Sequence, residues 1–187
     1  VEERVFSDGV VLKAVQREDI ERAVEVIRAE NVTSVAIAFL HSYVNPENEQ
    51  AAAAYLKELM PNIAVTMSSD VLPQIKEFER TSTTVVNGYV KPLAQQYLAN
   101  LDGGLQSNGY KAPLHIMLSN GGLGSTTTAG NFPIRLIESG PVAGAIVGRQ
   151  LAELMGIQDV LSFDMGGTTA KACLIRDQAL PITDELE

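Results

Sequence analysis

One cysteine, Cys173, stands in the 187 residues, so the chain cannot form a disulfide within itself. That suits a reducing compartment, and a cytoplasmic protein is expected. Cys173 falls in an apolar run and reads as a small core residue rather than a nucleophile. The two histidines, His41 and His115, are isolated, with no partner at metal-ligand spacing, which argues against a zinc site. Basic residues are also scarce. Fourteen Lys and Arg face 23 Asp and Glu, the net charge is −9, and no Lys/Arg run occurs. A nucleic-acid partner would need a basic patch, so none is expected, and the acidic balance reads as a soluble surface. No apolar stretch approaches the roughly 20 residues that cross a bilayer. The opening Val1-Glu-Glu-Arg4 has no signal-peptide character, so no membrane partner is expected either.

What the chain does have is apolar residues, 45% of the total, enough for a packed core. Ile20, Ala23, Val24 and Ile27 recur at helical spacing and predict a helix over 17–30. The continuous apolar run 32–40 predicts a strand buried on both faces. Pro46, with Asn45 before it and Glu47 and Glu49 after it, opens a helix that runs to Met60. A short strand follows at 63–67, then a loop at 68–73. Residues 78–105 read as a long helix, with Pro92 as a kink point and Asp102-Gly-Gly104 as its end. Residues 114–118 predict a strand and 123–131 a polar, Thr-rich helical stretch. Pro141 sits at a tolerated first-turn position of a helix over 142–155, capped by Gly156. Alternating helices and strands indicate an α/β layer sandwich with a mainly parallel sheet. The two adjacent strands that close the chain suggest a second domain, entered through the helix at 142–155.

That last strand pair carries the strongest chemical signal. The run Val160-Leu-Ser-Phe-Asp-Met-Gly-Gly-Thr-Thr169 ends an apolar strand in a carboxylate and crowds hydrogen-bonding groups into a tight turn. Gly166 and Gly167 can take positive φ and let a ligand approach the backbone. Successive amides in such a turn form a concave anion nest, and the Thr168 and Thr169 hydroxyls suit phosphate oxygens. Asp164 would repel phosphate; its natural role is to hold Mg²⁺, directly or through water, or to orient an attacking water. An ordinary Gly-Gly turn beside a solvent-exposed aspartate accounts for the local sequence equally well. No Walker A loop or strand-to-helix dinucleotide fingerprint occurs.

Three further stretches carry chemistry. Ser119-Asn-Gly-Gly122 follows a predicted strand, at the place where parallel α/β sheets bind ligands. Ser119 and Asn120 can hydrogen-bond substrate or nucleotide, and Gly121 and Gly122 allow close approach; a plain Asn/Gly turn is the competing reading. Ser139 and Gly140 open a helix whose first amides can face an anion, or serve packing. Gly144 and Gly148 continue the same face and read as helix-packing positions. Glu77-Phe-Glu-Arg-Thr-Ser-Thr-Thr84 reads as a helix cap with a solvated face.

Taken in order, these segments resemble the actin, sugar-kinase and heat-shock-chaperone ATPase superfamily. More closely, the chain is similar to the hydantoinase A/5-oxoprolinase family, which includes acetone carboxylase subunits. The carrying segments are 38–47, 77–84, Met117-Leu-Ser-Asn-Gly-Gly122, Ser139-Gly-Pro141 and Phe163-Asp-Met-Gly-Gly-Thr168. The resemblance implies RNase H-like (actin-like ATPase) layers, with a mainly parallel sheet and flanking helices, plus the first β-hairpin of a second like domain. Residues 1–122 would be the latter part of the first domain, and 123–187 the connecting helix and the start of the second. The implied activity is ATP-dependent opening of a cyclic amide of hydantoin or 5-oxoproline type. ATP phosphorylates the amide oxygen and water attacks the activated carbon. Asp164 would be the catalytic residue and the Mg²⁺ residue, directly or through water. Gly166, Gly167, Thr168 and Thr169 would hold ATP phosphates, with Ser119, Asn120, Gly121, Gly122, Ser139 and Gly140 also on the nucleotide. The implied partners are a small cyclic amide and either a hydantoinase B-like subunit or further copies of the chain.

Two departures stand out. Many members of the family carry an aspartate where this chain has Lys171. A first Asp-x-Gly-Gly-Thr hairpin, expected before the present N-terminus, does not occur, so the chain is expected to be an internal fragment. An ATP-dependent ketone carboxylase subunit is the alternative enzyme, and a non-catalytic nucleotide-binding or assembly module is the alternative outside enzymes. Lys171 keeps that last reading open.

Overall fold

The computed structural model describes residues 1–181. About half of the chain is helical, and the strands form small sheets. The order is β1 (Arg4–Val5), β2 (Val11–Lys13), α1 (Arg17–Ala29), β3 (Ser34–Ile37), α2 (Glu47–Leu59), β4 (Ala64–Met67), α3 (Ser68–Val71) and α4 (Glu77–Ser107). Then come β5 (His115–Met117), β6 (Leu123–Ser125), α5 (Thr126–Asn131), a 3-10 turn (Pro133–Leu136), α6 (Ser139–Met155), β7 (Val160–Met165) and β8 (Ala170–Ile175). The chain divides into two compact units: Val1–Asn108 with Gly130–Ile134, and Gly109–Ala129 with residues 135 onward. The expected second-domain segment runs to Glu187, and its residues 182–187 lie outside the described residues.

In the first unit, β3 and β4 pair in parallel, Ser34 opposite Ala64 through Ile37 opposite Met67, joined by α2. Parallel strands need such a crossover, because no short turn can reverse the chain and still leave them parallel. The period of two then sorts the side chains. Ile37 faces a core made with Ile20 and Val24 of α1 and Ala52, Ala53 and Leu56 of α2, against which Val35 and Val65 also pack. Ser34 and Thr66 face α4. There Gly88 lets the helix approach: a β-carbon at 88 would lie 3.5 Å from Ser34 Oγ, and Ser34 Oγ donates to the Gly88 carbonyl at 2.6 Å. The result is helix, sheet, helix, the layer order expected from the sequence.

The mainly parallel sheet is not what the described residues form. They hold four two-stranded sheets, of which β3–β4 is parallel and β1–β2, β5–β6 and β7–β8 are antiparallel. The reason is connection length. Only β3 and β4 are separated by a helix, and the other pairs are joined by turns too short for a crossover. The β1–β2 hairpin, whose strands are two and three residues long, carries no strand pattern in the sequence.

Helix α4 also differs from expectation. It passes through Gly103 and Gly104 to Ser107, with Asn108 as its C-cap and Gly109 following at φ 90°. The left-handed glycine that terminates a helix is therefore Gly109, while neither Gly103 nor Gly104 takes positive φ. Residues 68–71, expected as loop, form the short α3. Among the described residues, no helix is long and apolar enough to cross a membrane.

Candidate functional site

The closing hairpin forms as expected. β7 and β8 pair from Val160 opposite Ile175 to Met165 opposite Ala170, which sets Asp164 directly across from Lys171. The connecting turn is closed by the Gly166 amide donating to the Thr169 carbonyl at 3.0 Å. Gly166 and Gly167 can take positive φ, but neither uses that freedom here. A four-residue connection is most often built around a type I turn, whose φ values are negative. What these glycines contribute is space: a β-carbon at Gly167 would meet nothing within 4 Å. The Gly166 amide is spent on the turn, while Gly167, Thr168 and Thr169 are exposed. Asp164 is exposed too, and its carboxylate forms no ion pair or hydrogen bond among the described residues.

Helix α6 holds the hairpin in place. A β-carbon at Gly148 would lie 3.5 Å from Ser162 Cβ and 3.7 Å from Ile175 Cδ1, so β7 and β8 lie close on the helix. Gly144, expected to pack in the same way, has nothing within 4 Å of its β-carbon position. At the start of the helix, Glu138 takes a left-handed conformation at φ 65°, a costly choice for a residue with a side chain. Its carboxylate forms an ion pair with Lys171 of β8. Ser139 and Gly140 are the first two helical residues, so their amides have no intrahelical acceptor. The ion pair therefore ties the hairpin strand carrying Lys171 to the helix end carrying these two amides.

The turn at 119–122 joins β5 to β6, so it is the tip of a hairpin and not the end of a parallel strand as expected. Its Leu118 amide donates to the Gly122 carbonyl at 2.8 Å and its Gly121 amide to the Leu118 carbonyl at 2.9 Å. Asn120 Oδ1 accepts from the Gly122 amide at 3.0 Å, so that oxygen serves the turn. The Ser119 amide donates to the Arg135 carbonyl at 2.7 Å. Gly121, at φ 82°, rests on α6, where a β-carbon would come within 3.0 Å of Ile146 Cδ1. The turn at 119–122, the helix start at 138–140 and the hairpin at 164–171 thus all attach to α6 within the second unit.

Residues 77–84, read from sequence as a solvated cap, hold one of the buried charges of the first unit, Arg80. Arg80 is 1% exposed; its guanidinium donates to the Gln74 carbonyl at 2.7 Å and the Phe39 carbonyl at 2.9 Å, and stands 5.4 Å from the Tyr43 ring centre. Glu49, fully buried, accepts from the Phe39 amide at 2.9 Å and from Ser68 Oγ at 2.6 Å. Its other oxygen takes the Ser69 amide at 2.9 Å and Ser69 Oγ at 2.7 Å. A clue to this was present in the sequence: Arg80, Thr84 and Asn87 recur at i, i+4 and i+7, one polar stripe on one helix face, and all three are buried.

Among the described residues, no group of three or more His, Cys, Asp or Glu gathers to hold a metal. Mg²⁺ needs no such group, because it binds through one or two carboxylates together with phosphate oxygens and water. An exposed Asp164 without a cationic partner, beside an open turn, fits that pattern.

The chain matches known proteins along its length. Residues 80–187 match the hydantoinase/oxoprolinase family model, and residues 1–60 match the hydantoinase/oxoprolinase N-terminal region. An uncharacterized protein of Methanocaldococcus jannaschii is 40% identical over 187 residues, covering 100% of this chain and 28% of that protein. Caprolactamase subunit alpha of Pseudomonas jessenii is 36% identical over 166 residues, covering 89% and 24%. The crystal structure of the ATP-dependent caprolactamase from that organism superposes with a TM-score of 0.79 at 33% identity, covering 93% and 25%. Acetone carboxylase, an enzyme of ATP-dependent acetone carboxylation, superposes in its nucleotide-free structure with a TM-score of 0.83 at 30% identity, covering 94% and 25%. The chain spans about a quarter of the length of these relatives. Model matches at both ends and likeness over nearly the whole chain place it in the hydantoinase/oxoprolinase family.

Proposed function

We propose that this chain is part of an ATP-dependent hydrolase that opens a small cyclic amide, of hydantoin or 5-oxoproline type, by phosphoryl activation of the amide oxygen. The observation that carries the reading is Asp164: an exposed, unpaired carboxylate at the end of β7, two residues before the open Gly-Gly-Thr-Thr turn. The ATP-dependent caprolactamase among the relatives acts on a cyclic amide, which supports the same substrate class here.

An amide is a poor electrophile, and bound Mg-ATP would supply the phosphoryl group that makes its oxygen a leaving group. Asp164 holds Mg²⁺, directly or through water. The amides of Gly167 and Thr168 and the Thr168 and Thr169 hydroxyls bind phosphate oxygens; Gly166 gives room, its own amide being committed to the turn. Ser139 and Gly140 add two amides at the positive end of α6. Ser119 and Asn120 offer a hydroxyl and an amide NH₂ to nucleotide or substrate, with Gly121 and Gly122 shaping the turn that presents them. The proposal includes RNase H-like domains divided at 122/123. It also includes a partner subunit, since caprolactamase and several other relatives are subunits of larger enzymes.

A ketone carboxylase subunit is the second reading, favoured by the acetone carboxylase superposition. Phosphate release by the full-length protein separates the two. Stimulation by hydantoins or 5-oxoproline supports the hydrolase, and stimulation by a ketone with bicarbonate supports the carboxylase. ATP turnover indifferent to all of them would sink both.

A further inference from the structure

Helix α6 opens without a side-chain cap. A carboxylate beside the first turn of a helix is ordinarily drawn to the free amides there, which carry the positive end of the helix dipole. Glu138 precedes that turn and makes no side-chain cap bond. Its carboxylate pairs instead with the Lys171 ammonium of β8, from a backbone held left-handed at φ 65°. Pro141 has no N–H to give, and the Val142 amide already donates to the Glu138 carbonyl at 3.2 Å. The Ser139 and Gly140 amides are the two that the helix leaves without an internal acceptor.

Lys171 lies between that helix start and the phosphate turn. It stands across the ladder from Asp164, one pair behind the 166–169 turn. Facing residues of an antiparallel pair share one face of the sheet, with β-carbons about 5 Å apart. By the period of two, that face also carries Ser162, which lies on α6 beside Gly148. The Lys171 and Glu138 side chains are 38% and 36% exposed. An ion pair with that much water around it is weak, and a competing anion can take its cation. Phosphate oxygens beside the turn would offer Lys171 charge-assisted hydrogen bonds, and their charge would repel Glu138.

We propose that the Glu138 carboxylate is an internal stand-in for a nucleotide phosphate: it holds Lys171 while the site is empty and gives it up when phosphate arrives. The inference rests on the reading of the hairpin as an ATP site. On binding, the Lys171 ammonium exchanges one anionic partner for another, and Glu138 turns to solvent. The cation is paired in both states, and Asp164 stays free for Mg²⁺ in both. Lys171 is then a phosphate-binding residue, and Glu138 opposes nucleotide binding instead of contributing to it. Because binding must first break a weak pair, the opposition lowers affinity only a few-fold.

The test is calorimetric titration of the full-length protein with ATP and Mg²⁺, in wild type, Glu138→Gln, Lys171→Met and the double variant. Glu138→Gln should tighten ATP by about two- to fivefold, the range set by an exposed ion pair. Lys171→Met should weaken it by about tenfold, the size of a lost charge-assisted hydrogen bond. In the Lys171→Met background, Glu138→Gln should leave the affinity unchanged, because the cation it competes for is gone. If the pair were only a brace, either single variant would loosen the hairpin and both would weaken ATP; that outcome would overturn the proposal. So would equal tightening by Glu138→Gln with and without Lys171, which is the plain removal of a negative charge near an anion. Wild-type protein that binds no ATP fails at an earlier step, removing the ATP site and this inference with it.

Discussion

Lys171 stands across the β7–β8 ladder from Asp164, yet its ammonium pairs with Glu138 at the entrance to α6 and not with its cross-strand neighbour. Two carboxylates compete for one cation, and the one on the helix holds it. Asp164 therefore keeps its negative charge uncompensated, which is what a Mg²⁺ ligand requires. An aspartate at 171 would leave Glu138 without this partner. In this chain Lys171 serves as a brace between the hairpin and the helix start.

A brace of this kind contributes modestly to stability. The two side chains are 38% and 36% exposed, and ion pairs with that much solvent contact are worth about 1 kcal/mol or less. A double-mutant cycle with Lys171→Met and Glu138→Gln, read by urea unfolding, should give a coupling within that range. A coupling above about 2 kcal/mol would mean the pair holds the fold together rather than orienting the hairpin.

Asp164→Asn separates chemistry from stability. Its side chain is exposed and makes no contact that the fold uses, so unfolding should change by no more than about 0.5 kcal/mol. ATP-dependent phosphate release by the full-length protein should fall about a hundredfold or more, the usual cost of removing an electrostatic group from a reacting centre. Turnover within a few-fold of wild type would remove Asp164 from the proposed role.

The glycines show where the sequence was legible and where it was not. Helices α1, α2 and α6 and the β7–β8 hairpin follow from local periodicity, because each carries its pattern in adjacent residues. The role of each glycine does not, because it depends on what lies opposite. Gly144 and Gly148 are equivalent in sequence, yet only Gly148 has a neighbour, brought there by the hairpin. Gly103 and Gly104 look like a helix stop and are not, since Gly109 takes the left-handed position. Arg80 looked like a surface charge, because its two carbonyl partners come from Phe39 and Gln74 on other segments. The three stretches that attach to α6 could be named from sequence; their shared attachment to that helix could not.

These differences can be measured by substitution to alanine. Gly144→Ala adds a methyl to open space in a helix interior and should stabilise by up to about 1 kcal/mol. Gly121→Ala meets both a φ of 82° and Ile146 at 3.0 Å, and should destabilise by about 1–3 kcal/mol. Urea midpoints moving in the same direction for both would contradict the packing described.

Burial, and then the Lys57 charge, push the Lys91 ammonium below the ordinary lysine range, with Asp70 opposing them, and this has a defined pH signature. Where the folded-state pKa lies below the unfolded value, both states are protonated at neutral pH and the fold carries the full burial penalty. As pH rises from the folded pKa toward the unfolded value of about 10.4, the fold loses its proton first. Stability should therefore increase with pH across that alkaline window, relative to Lys91→Met, which lacks the titration. A difference between the two that stays flat with pH would show that Lys91 is solvated like an ordinary surface lysine.

Glu49 and Arg80 grip the same residue from its two ends, one taking the Phe39 amide and the other feeding its carbonyl. This fixes the segment after β3 against the first turns of α4, and it joins two of the stretches that carry the family resemblance. The two oxygens of Glu49 have separate duties: Oε1 serves Phe39 and Ser68, and Oε2 serves Ser69 twice. Glu49→Gln can keep the first oxygen's bonds but must turn an amide NH₂ toward two donors in place of the second. It should cost about 1–3 kcal/mol, the penalty for leaving buried donors unsatisfied. Glu49→Ala removes both acceptors and opens a cavity, and should cost more, about 3–5 kcal/mol. The ordering is the diagnostic result: if urea unfolding gives the two variants equal losses, the division of labour between the two oxygens is wrong, whatever the total.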